Sequence, residues 1–357
     1  MTAPHPGRLP WIDTLKALGV IMVIGGHTVG VPPLVLQVVF ACHIPLFFWI
    51  SGLVGTGKVT TMPLGAFLVD RSRRRLIPYF VFAVLSYLLW LLFLRHFGTR
   101  QAAQVPLLIP LVGILYGSDV HNFLAPNVVL WFFPCLFVTE LYFYFLARIR
   151  SRLLLAVALG FCALCGFLAP ALLPWRLPWG IDLALTAVVF YGAGYLTRDA
   201  LPAVALRGCW RGLGLLLSLG LYLSLSLYNR PVTFIIGNYG DSGAAFYGAA
   251  AAGIVFWAFV AQALQGSRLL QVVGQHTLVL FALHLLVFPV LTGFCRYVVG
   301  LPADLREQSV IFPLLYTIFA IAVLLPVSFF LDKHCPQLLG KFKARPPESL
   351  ALARGGV

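Results

Sequence analysis

Charged residues are scarce in this sequence. Only 10% of the 357 residues are Asp, Glu, Lys or Arg, whereas a soluble globular domain carries about 25%. Hydrophobic residues make up 61% of the chain and fall in runs of about 18 to 23 residues, the length of a helix that crosses a bilayer. The shortage of charge excludes an ordinary soluble protein and predicts an all-α, polytopic integral membrane protein.

Other absences narrow the class further. The alternating pattern of an outer-membrane barrel is missing, and the sequence shows no internal repeat, low-complexity domain or separate soluble domain. The seven cysteines are an odd number and mostly lie inside apolar runs, so a disulfide framework is not expected. Cys162-x-x-Cys165 has the spacing of a redox or metal pair, but small apolar packing residues are the stronger interpretation. We expect no metal.

About ten apolar runs are long enough to span a membrane as helices of one bundle. A shorter apolar run at 107–116 is predicted to be re-entrant or interfacial. Residues 1–331 then form the membrane-embedded domain, and 332–357 form a short, basic, disordered cytoplasmic tail. The predicted spans are 12–30, 34–55, 76–95, 128–147, 153–170, 181–197, 212–228, 244–264, 273–295 and 309–331.

The net charge of +14 comes from basic residues in the short connections between these runs. With the N-terminus in the cytoplasm, 18 of the 25 Lys and Arg residues fall in cytoplasmic segments and six in outer loops. This is a strong positive-inside bias, so both termini are expected in the cytoplasm. Such a distribution argues for contacts with membrane lipids and against nucleic acid as a partner.

The first run, "WIDTLKALGVIMVIGGHTVG", carries three ionisable side chains: Asp13, Lys16 and His27. A helix would place all three on one face, with Lys16 and His27 about 16 Å apart along its axis. Asp13 and Lys16 are expected to form an ion pair near the surface or to extend toward it. For His27 a functional role is the stronger interpretation, because ionisable groups inside spans tend to be functional. The alternative is a buried histidine with satisfied hydrogen bonds.

The second run, "FACHIPLFFWISGL", holds His43 two residues before Pro45 and ends at Ser51-Gly52. Pro45 frees a backbone carbonyl that can accept a hydrogen bond or line a cavity. His43 is therefore either a packing histidine bonded to such a carbonyl or a functional group. We expect a local break of the helix at Ser51-Gly52.

The segment "DRSRRRLIPYF" (70–80) is predicted to be a cytoplasmic loop before the third span. Arg71 and Arg74 would lie one helical turn apart, with Arg75 following Arg71 at i+4. Guanidinium pairs suit phosphate groups, although the same arginines also anchor the topology. Lys16 is expected at a similar depth.

Two further polar residues, Glu140 and His284, lie inside apolar runs, where they are costly. Glu140 could pair with a histidine or an arginine across the bundle. A phosphate-suited patch at one end of the bundle, with histidines farther in, would fit a long cofactor with a phosphorylated end and a reactive tip. Acyl-coenzyme A has that shape.

These motifs resemble those of the family 3 membrane acyltransferases, and particularly the branch of fucose 4-O-acetylases and bacterial exopolysaccharide O-acetyltransferases. The resemblance covers nearly the whole chain, and its first three motifs, in this order and spacing, are specific. The stretches that carry it are "DTLKALGVIMVIGGH", "CHIPLFFWISG", "RSRRRLIPY", "LWFFPCLF", "NYG" and "GQHTLVLFALH".

The resemblance implies transfer of an acyl group, usually acetyl, from cytoplasmic acyl-CoA to a sugar hydroxyl. It implies that His27 is the catalytic base and that Arg71 and Arg74 contact acyl-CoA. Lys16 stands where an arginine is commoner in the family, so its contacts with the donor are expected to be looser. The implied location is a bacterial inner membrane, with a free or lipid-linked saccharide as acceptor and polysaccharide assembly proteins as partners.

The mechanism we predict is direct attack, in which His27 takes the proton of the sugar hydroxyl. His43 or a freed backbone donor would stabilise the oxyanion. A covalent acyl-enzyme relay is an alternative, since the acyl group has to cross the membrane if the acceptor lies outside. Two other classes of function also fit the sequence: a proton-coupled transporter or flippase of lipid-linked sugars, and a structural subunit of a polysaccharide assembly complex.

Overall fold

The computed structural model describes residues 9–55, 59, 61–97, 104–198, 209–302 and 309–342. These residues form helices, with one isolated β-bridge between Thr233 and Asn238. The helices, in chain order, are α1 (Pro10–Gly26), α2 (Pro33–Val54), α3 (Leu64–Leu94), α4 (Leu108–Tyr116), α5 (Val128–Leu146), α6 (Arg152–Leu172), α7 (Pro178–Thr197), α8 (Trp210–Tyr228), α9 (Gly243–Ala263), α10 (Arg268–Gln275), α11 (Thr277–Val298) and α12 (Ile311–His334).

Nine of the helices in the described ranges are long and apolar enough to cross a membrane. The 17-residue α1 adds a helix about 25 Å long, which is near the lower limit for a span. Together these helices occupy the runs predicted from the sequence, which confirms an all-α, multi-pass membrane protein. Helix α4 has only nine residues and is too short to cross, as expected for the run at 107–116.

The helices divide into a central group and a peripheral group. In the most apolar window of α5, 78% of the residues are buried, compared with 22% in α6 and 17% in α8. Helix α2 packs against α1, α7, α8 and α9, while α1 also contacts α10, α11 and α12. The peripheral helices turn large apolar side chains such as Leu153, Phe161 and Leu216 outward, and lipid is the apolar surrounding that accepts them. The candidate residues predicted from the sequence lie on or next to α1, α2, α3, α5 and α11.

Helices α2 and α7 approach each other through paired glycines. A Cβ added at Gly52 would overlap the backbone carbonyl of Tyr191, and one at Gly194 would overlap the carbonyl of Trp49. Small residues allow such close contact between membrane helices. The break expected at Ser51-Gly52 is therefore wrong: α2 continues to Val54, and Gly52 serves helix packing.

Three predicted helix boundaries also differ from the observed ones. The first span was expected to run to residue 30, but α1 ends at Gly26, where the Thr28 hydroxyl donates to the Gly25 carbonyl. Helix α3 begins at Leu64, so the arginine segment is helical and not a loop. The ninth run divides at His276 into α10 and α11. The length of an apolar run does not predict where these helices begin and end, because helix caps and pairing between side chains determine the ends.

The residues after α12 fold back onto the start of α3. A 3-10 turn, Pro336–Leu339, ends at Gly340 with a φ of 71°. There a Cβ would press on the backbone of Arg73. Residues 332–340 therefore form the end of α12 and a 3-10 turn, with Leu339 and Gly340 buried, in place of the disordered tail expected from 332. Residues 343–357 lie outside the described ranges, so the tail stays a prediction for them.

Both described ends of the chain lie at the same end of the bundle. Gly274 of α10 packs directly on the backbone of Asp13 in α1, and His276 lies 3.4 Å from the Asp332 carboxylate of α12. We call this the basic end because Lys16, the arginines of α3 and Lys341 are found there.

Candidate functional site

A cleft of about 290 Å³ opens at the basic end. It lies between the end of α2, the start of α3, the start of α11 and the segment after α12. We call it the basic cleft, because four cations and one carboxylate are among its lining residues. The lining residues are Ser51, Val54, Gly55, Asp70, Arg71, Arg74, Arg75, Leu278, Leu339, Gly340 and Lys341.

Glu140 of α5 holds two arginines of the cleft. Its side chain is 1% exposed. Arg75 binds it through two hydrogen bonds, from Nη2 to Oε1 at 2.8 Å and from Nε to Oε2 at 3.2 Å, and Arg71 Nη1 donates to Oε1 at 3.2 Å. The sequence is compatible with a histidine or an arginine as the partner of Glu140, and the structure shows that arginines bind it. Two guanidinium groups around one carboxylate leave a net charge of +1, so the cluster remains attractive to an anion.

The arginines lie on a widened helical turn. Residues Ser72–Leu76 form a π-helical segment inside α3, a feature that often marks functional sites. Arg71 turns inward to Glu140, whereas Arg74 is 59% exposed and donates to Asp70 at 3.0 Å. Arg71 and Arg74 both line the cleft, but they point into different surroundings. The buried Nε of Arg71 makes no hydrogen bond to the described residues, but it lies 3.7 Å from Oδ2 of Asp70, so that carboxylate faces both Arg71 and Arg74.

Sequence reasoning missed one cation of the cleft, Lys341. Its Nζ lies 2.6 Å from Oδ1 of Asp332, and Oδ2 of Asp332 lies 3.4 Å from Nδ1 of His276. His276 also contacts the Ser328 hydroxyl at 2.8 Å. Only the basic composition of the tail hinted at Lys341, and spacing along the chain gave no sign that residue 341 returns to α3.

Lys16 and Asp13 form the ion pair that the sequence predicts, with Nζ and Oδ1 3.4 Å apart. Asp13 is buried and Lys16 is partly exposed. Lys16 is not among the residues that line the basic cleft. It lies at the same end of the bundle, and its charge is already balanced by Asp13.

Three histidines come together deeper in the bundle. The ring centroids of His27 and His284 are 5.4 Å apart. The ring of Phe40 lies 6.3 Å from His27 and 4.9 Å from His43. His27, which follows α1, therefore lies beside His284 of α11. No spacing within one helix could have shown this pairing.

The hydrogen bonds of two histidines fix which nitrogen carries the proton. His43 Nδ1 is 3.0 Å from the Val39 carbonyl, and His284 Nδ1 is 2.8 Å from the Phe281 carbonyl. A carbonyl only accepts, so Nδ1 donates and Nε2 keeps a lone pair in the neutral ring. The His284 Nε2 atom is buried and has no partner among the described residues. No hydrogen bond to the His27 ring occurs in these residues, which leaves that ring available to a substrate.

The basic cleft and the histidines share the same two helices. On α2, Ser51 lines the cleft and His43 lies eight residues earlier, about 12 Å along the helix. On α11, Leu278 lines the cleft and His284 lies six residues later, about 9 Å along the helix. Ser51 itself donates to the Phe47 carbonyl at 2.8 Å. The two centres are therefore stacked along the axis of the bundle.

No group of three or more His, Cys, Asp or Glu side chains is placed to hold a metal ion anywhere in the described ranges. The arrangement offers a cationic cleft for an anionic group and imidazole nitrogens that can accept a proton. Such an arrangement can bind a substrate through its negative charge and remove a proton from it by general base catalysis.

Comparison with known proteins gives one match. A family model described as an acyltransferase domain matches residues 9–333. It therefore covers every helix from α1 to α12, apart from the last residue of α12. No curated protein and no solved structure matches the chain.

Proposed function

The chain belongs to the family 3 acyltransferases, and on this premise we propose that it moves an acyl group, in the first instance acetyl, from acyl-CoA to a saccharide hydroxyl. The observation that carries the proposal is the stacking of the basic cleft and the histidines along α2 and α11. A donor held by its phosphates at the cleft would direct its thioester along these helices toward His27 and His284. The basic cleft and the histidines would then be the two ends of one reaction path.

The basic cleft suits the phosphorylated end of coenzyme A. Arg74 is 59% exposed beside the cleft, and Arg71 also lines it. Arg75 and Lys341 add positive charge to the same cleft. We assign donor binding to these four residues and give Lys16 a peripheral electrostatic role, since it does not line the cleft.

The reaction we propose is direct transfer with His27 as the base. His27 takes the proton of the saccharide hydroxyl as its oxygen attacks the thioester carbonyl carbon. A C–O bond forms, the C–S bond breaks, and the coenzyme A thiolate leaves and receives a proton. A positioned base of this kind contributes about 10² to 10⁴ in rate. A covalent acyl-histidine relay is the alternative, and it would give ping-pong kinetics.

The bonding of the other histidines changes the roles expected of them. Neutral His43 donates through Nδ1 to Val39, so its Nε2 accepts a hydrogen bond and cannot stabilise an oxyanion in this tautomer. His284 has the same bonding pattern and lies beside His27. We propose that His284 receives or relays the proton held by His27, and that His43 helps to shape the pocket.

The positive-inside distribution supports a bacterial inner membrane location with the basic end in the cytoplasm, where acyl-CoA is made. The acceptor we propose is a sugar of a surface polysaccharide or exopolysaccharide, or of its lipid-linked precursor. Polysaccharide assembly proteins and membrane lipids would be the partners. The large apolar side chains that the outer helices expose suit a lipid-linked acceptor that approaches from the bilayer.

The deciding experiment measures free coenzyme A released from acetyl-CoA by membranes that contain the chain, against membranes without it. We expect release that depends on the chain and falls to background in His27→Gln. A proton-coupled transporter or flippase, or a structural subunit, would release none. Mass spectrometry of surface polysaccharide from cells with and without the chain would then identify the acylated sugar.

A further inference from the structure

A layer of three phenylalanine rings separates the basic cleft from the histidines. Phe47 of α2, Phe132 of α5 and Phe281 of α11 contact one another, and all three are buried. Their ring centroids are 6.0 Å apart for Phe47 and Phe281, 6.1 Å for Phe47 and Phe132, and 5.2 Å for Phe132 and Phe281. We call these three residues the aromatic layer.

The register of α2 and α11 places this layer midway along the path. Phe47 lies four residues from His43 and four from Ser51, about 6 Å from each along the helix. Phe281 lies three residues from Leu278 and three from His284, about 4.5 Å from each. The Phe281 ring is also 6.4 Å from the His284 ring. Along both helices the rings therefore lie between the residues that line the cleft and the histidines.

The rings of the aromatic layer are closely packed against neighbouring residues and have little space to move. A Cβ built at Gly19 of α1 would lie 3.0 Å from Cζ of Phe47, so the Phe47 ring already rests on the α1 backbone. On the far side, Phe132 is backed by the rings of Phe48 and Phe133. A close-packed interior resists each added methylene. Opening the layer for a thin thioester group needs a small ring movement, whereas a longer acyl chain needs a larger one.

We propose that the aromatic layer sets the size of the acyl group, so that acetyl is transferred and longer acyl groups are rejected. This inference rests on the proposed function and names its donor class, a short-chain acyl-CoA. Phe47, Phe132 and Phe281 are specificity-determining residues in it. The role of His27 as the base is the same whichever acyl group is transferred.

The test compares acetyl-CoA, butyryl-CoA and octanoyl-CoA as donors, with coenzyme A release by membranes containing the full chain as the measurement. One methylene in an apolar pocket changes rates by about tenfold or more, so the wild-type ratio of acetyl to butyryl rates should be about a hundred. Phe47→Ala should lower this ratio at least about tenfold. Phe132→Leu should lower it less, because it removes only part of a ring.

Phe190→Ala is the matched control, since Phe190 is an equally buried ring that packs on Phe246 and Tyr247. Its ratio should equal that of wild type. If Phe47→Ala does not accumulate, Phe132→Leu decides. An unchanged ratio in the layer variants, loss of acetyl turnover without gain of butyryl, or equal wild-type rates with all three donors would overturn the inference. Wild-type membranes that release coenzyme A from none of the donors would instead overturn the proposed function.

Discussion

Glu140 fixes the positions of two arginines of the basic cleft. A carboxylate withdrawn from water is tolerated only with strong donors around it, and Arg71 and Arg75 supply three hydrogen bonds. In return, Glu140 holds both guanidinium groups in place at the floor of the basic cleft. Arg74 is 59% exposed and pairs with Asp70 at the surface, where it can move toward an anion.

Removing the charge of Glu140 should destabilise the protein. Glu140→Gln leaves the buried Arg71 and the partly buried Arg75 guanidinium groups facing an amide, and breaking a buried ion pair typically costs about 3 to 5 kcal/mol. Asp70→Asn at the exposed pair is the control and should cost about 0 to 1 kcal/mol. Thermal unfolding of both purified variants in detergent measures the difference. Equal unfolding midpoints would mean that the Glu140 cluster contributes nothing to stability.

Arg74 should bind the donor more than it supports the fold. Arg74→Ala removes an exposed cation of the cleft, and losing one charge-assisted hydrogen bond should weaken acetyl-CoA binding about tenfold. Arg73→Ala is the matched control, because Arg73 lies next in the chain but packs over the Phe342 ring and does not line the cleft. Binding to purified protein is the measurement. An equal loss in both variants would show a diffuse electrostatic effect of the arginine segment.

His27 should be needed for transfer and not for folding. His27→Gln keeps much of the shape but removes the base, so coenzyme A release should fall about 10² to 10⁴-fold while acetyl-CoA binding persists. His43→Gln and Lys16→Ala should be milder or act through binding. Near wild-type turnover in His27→Gln together with inactive His43→Gln would make His43 the base. Inactive His284→Gln with normal donor binding is the result expected if His284 takes part in proton transfer.

Among the helices, the contact between α2 and α7 is set by glycine. Gly52 and Gly194 let the two backbones touch, which fixes the position of α2 and therefore of His43, Phe47 and Ser51. A membrane interior offers no hydrophobic drive for helices to associate, so close packing of this kind holds the bundle together.

Adding one methyl group at this contact should separate the helices. In Gly52→Ala the new Cβ would meet the Tyr191 backbone, which cannot move aside as a flexible side chain would, and overpacking costs about 1 to 3 kcal/mol. Gly160→Ala in α6 is the control, since nothing lies within 4 Å of its Cβ position. Thermal unfolding should show a lower midpoint for Gly52→Ala and an unchanged or raised one for Gly160→Ala. The reverse order would contradict the packing role.

For the molecule as a whole, the charge distribution predicts an orientation in the membrane that experiment can measure directly. Both described ends lie at the basic end, and Asp241, an exposed residue between α8 and α9, falls in a connection expected outside. Asp241→Cys should react with a membrane-impermeant thiol reagent added to intact cells, and a reporter fused after Val357 should report cytoplasm. A cytoplasmic result for residue 241 together with an outside result for the C-terminus would reverse the orientation.

Apolar run length and charge by themselves determined the class of this protein. A spanning helix satisfies its own backbone hydrogen bonds and needs no partner to exist in lipid, so each run predicts its helix locally. The family also followed from local motifs, because the first-helix histidine and the arginine segment are recognised by their order and spacing. The acyltransferase domain match confirms that level of the prediction, while the acetylase branch, the donor and the acceptor stay proposals.

Only the tertiary structure decided which groups meet. Glu140 reaches Arg71 across 69 residues, His284 comes to His27 from the far end of the chain, and Lys341 returns to a cleft formed mainly by α2 and α3. Helical periodicity assigns a residue to a face of its own helix, but it carries no information about the helix that packs opposite. The pairings, and the aromatic layer between the two centres, arise from packing between helices that are distant in sequence.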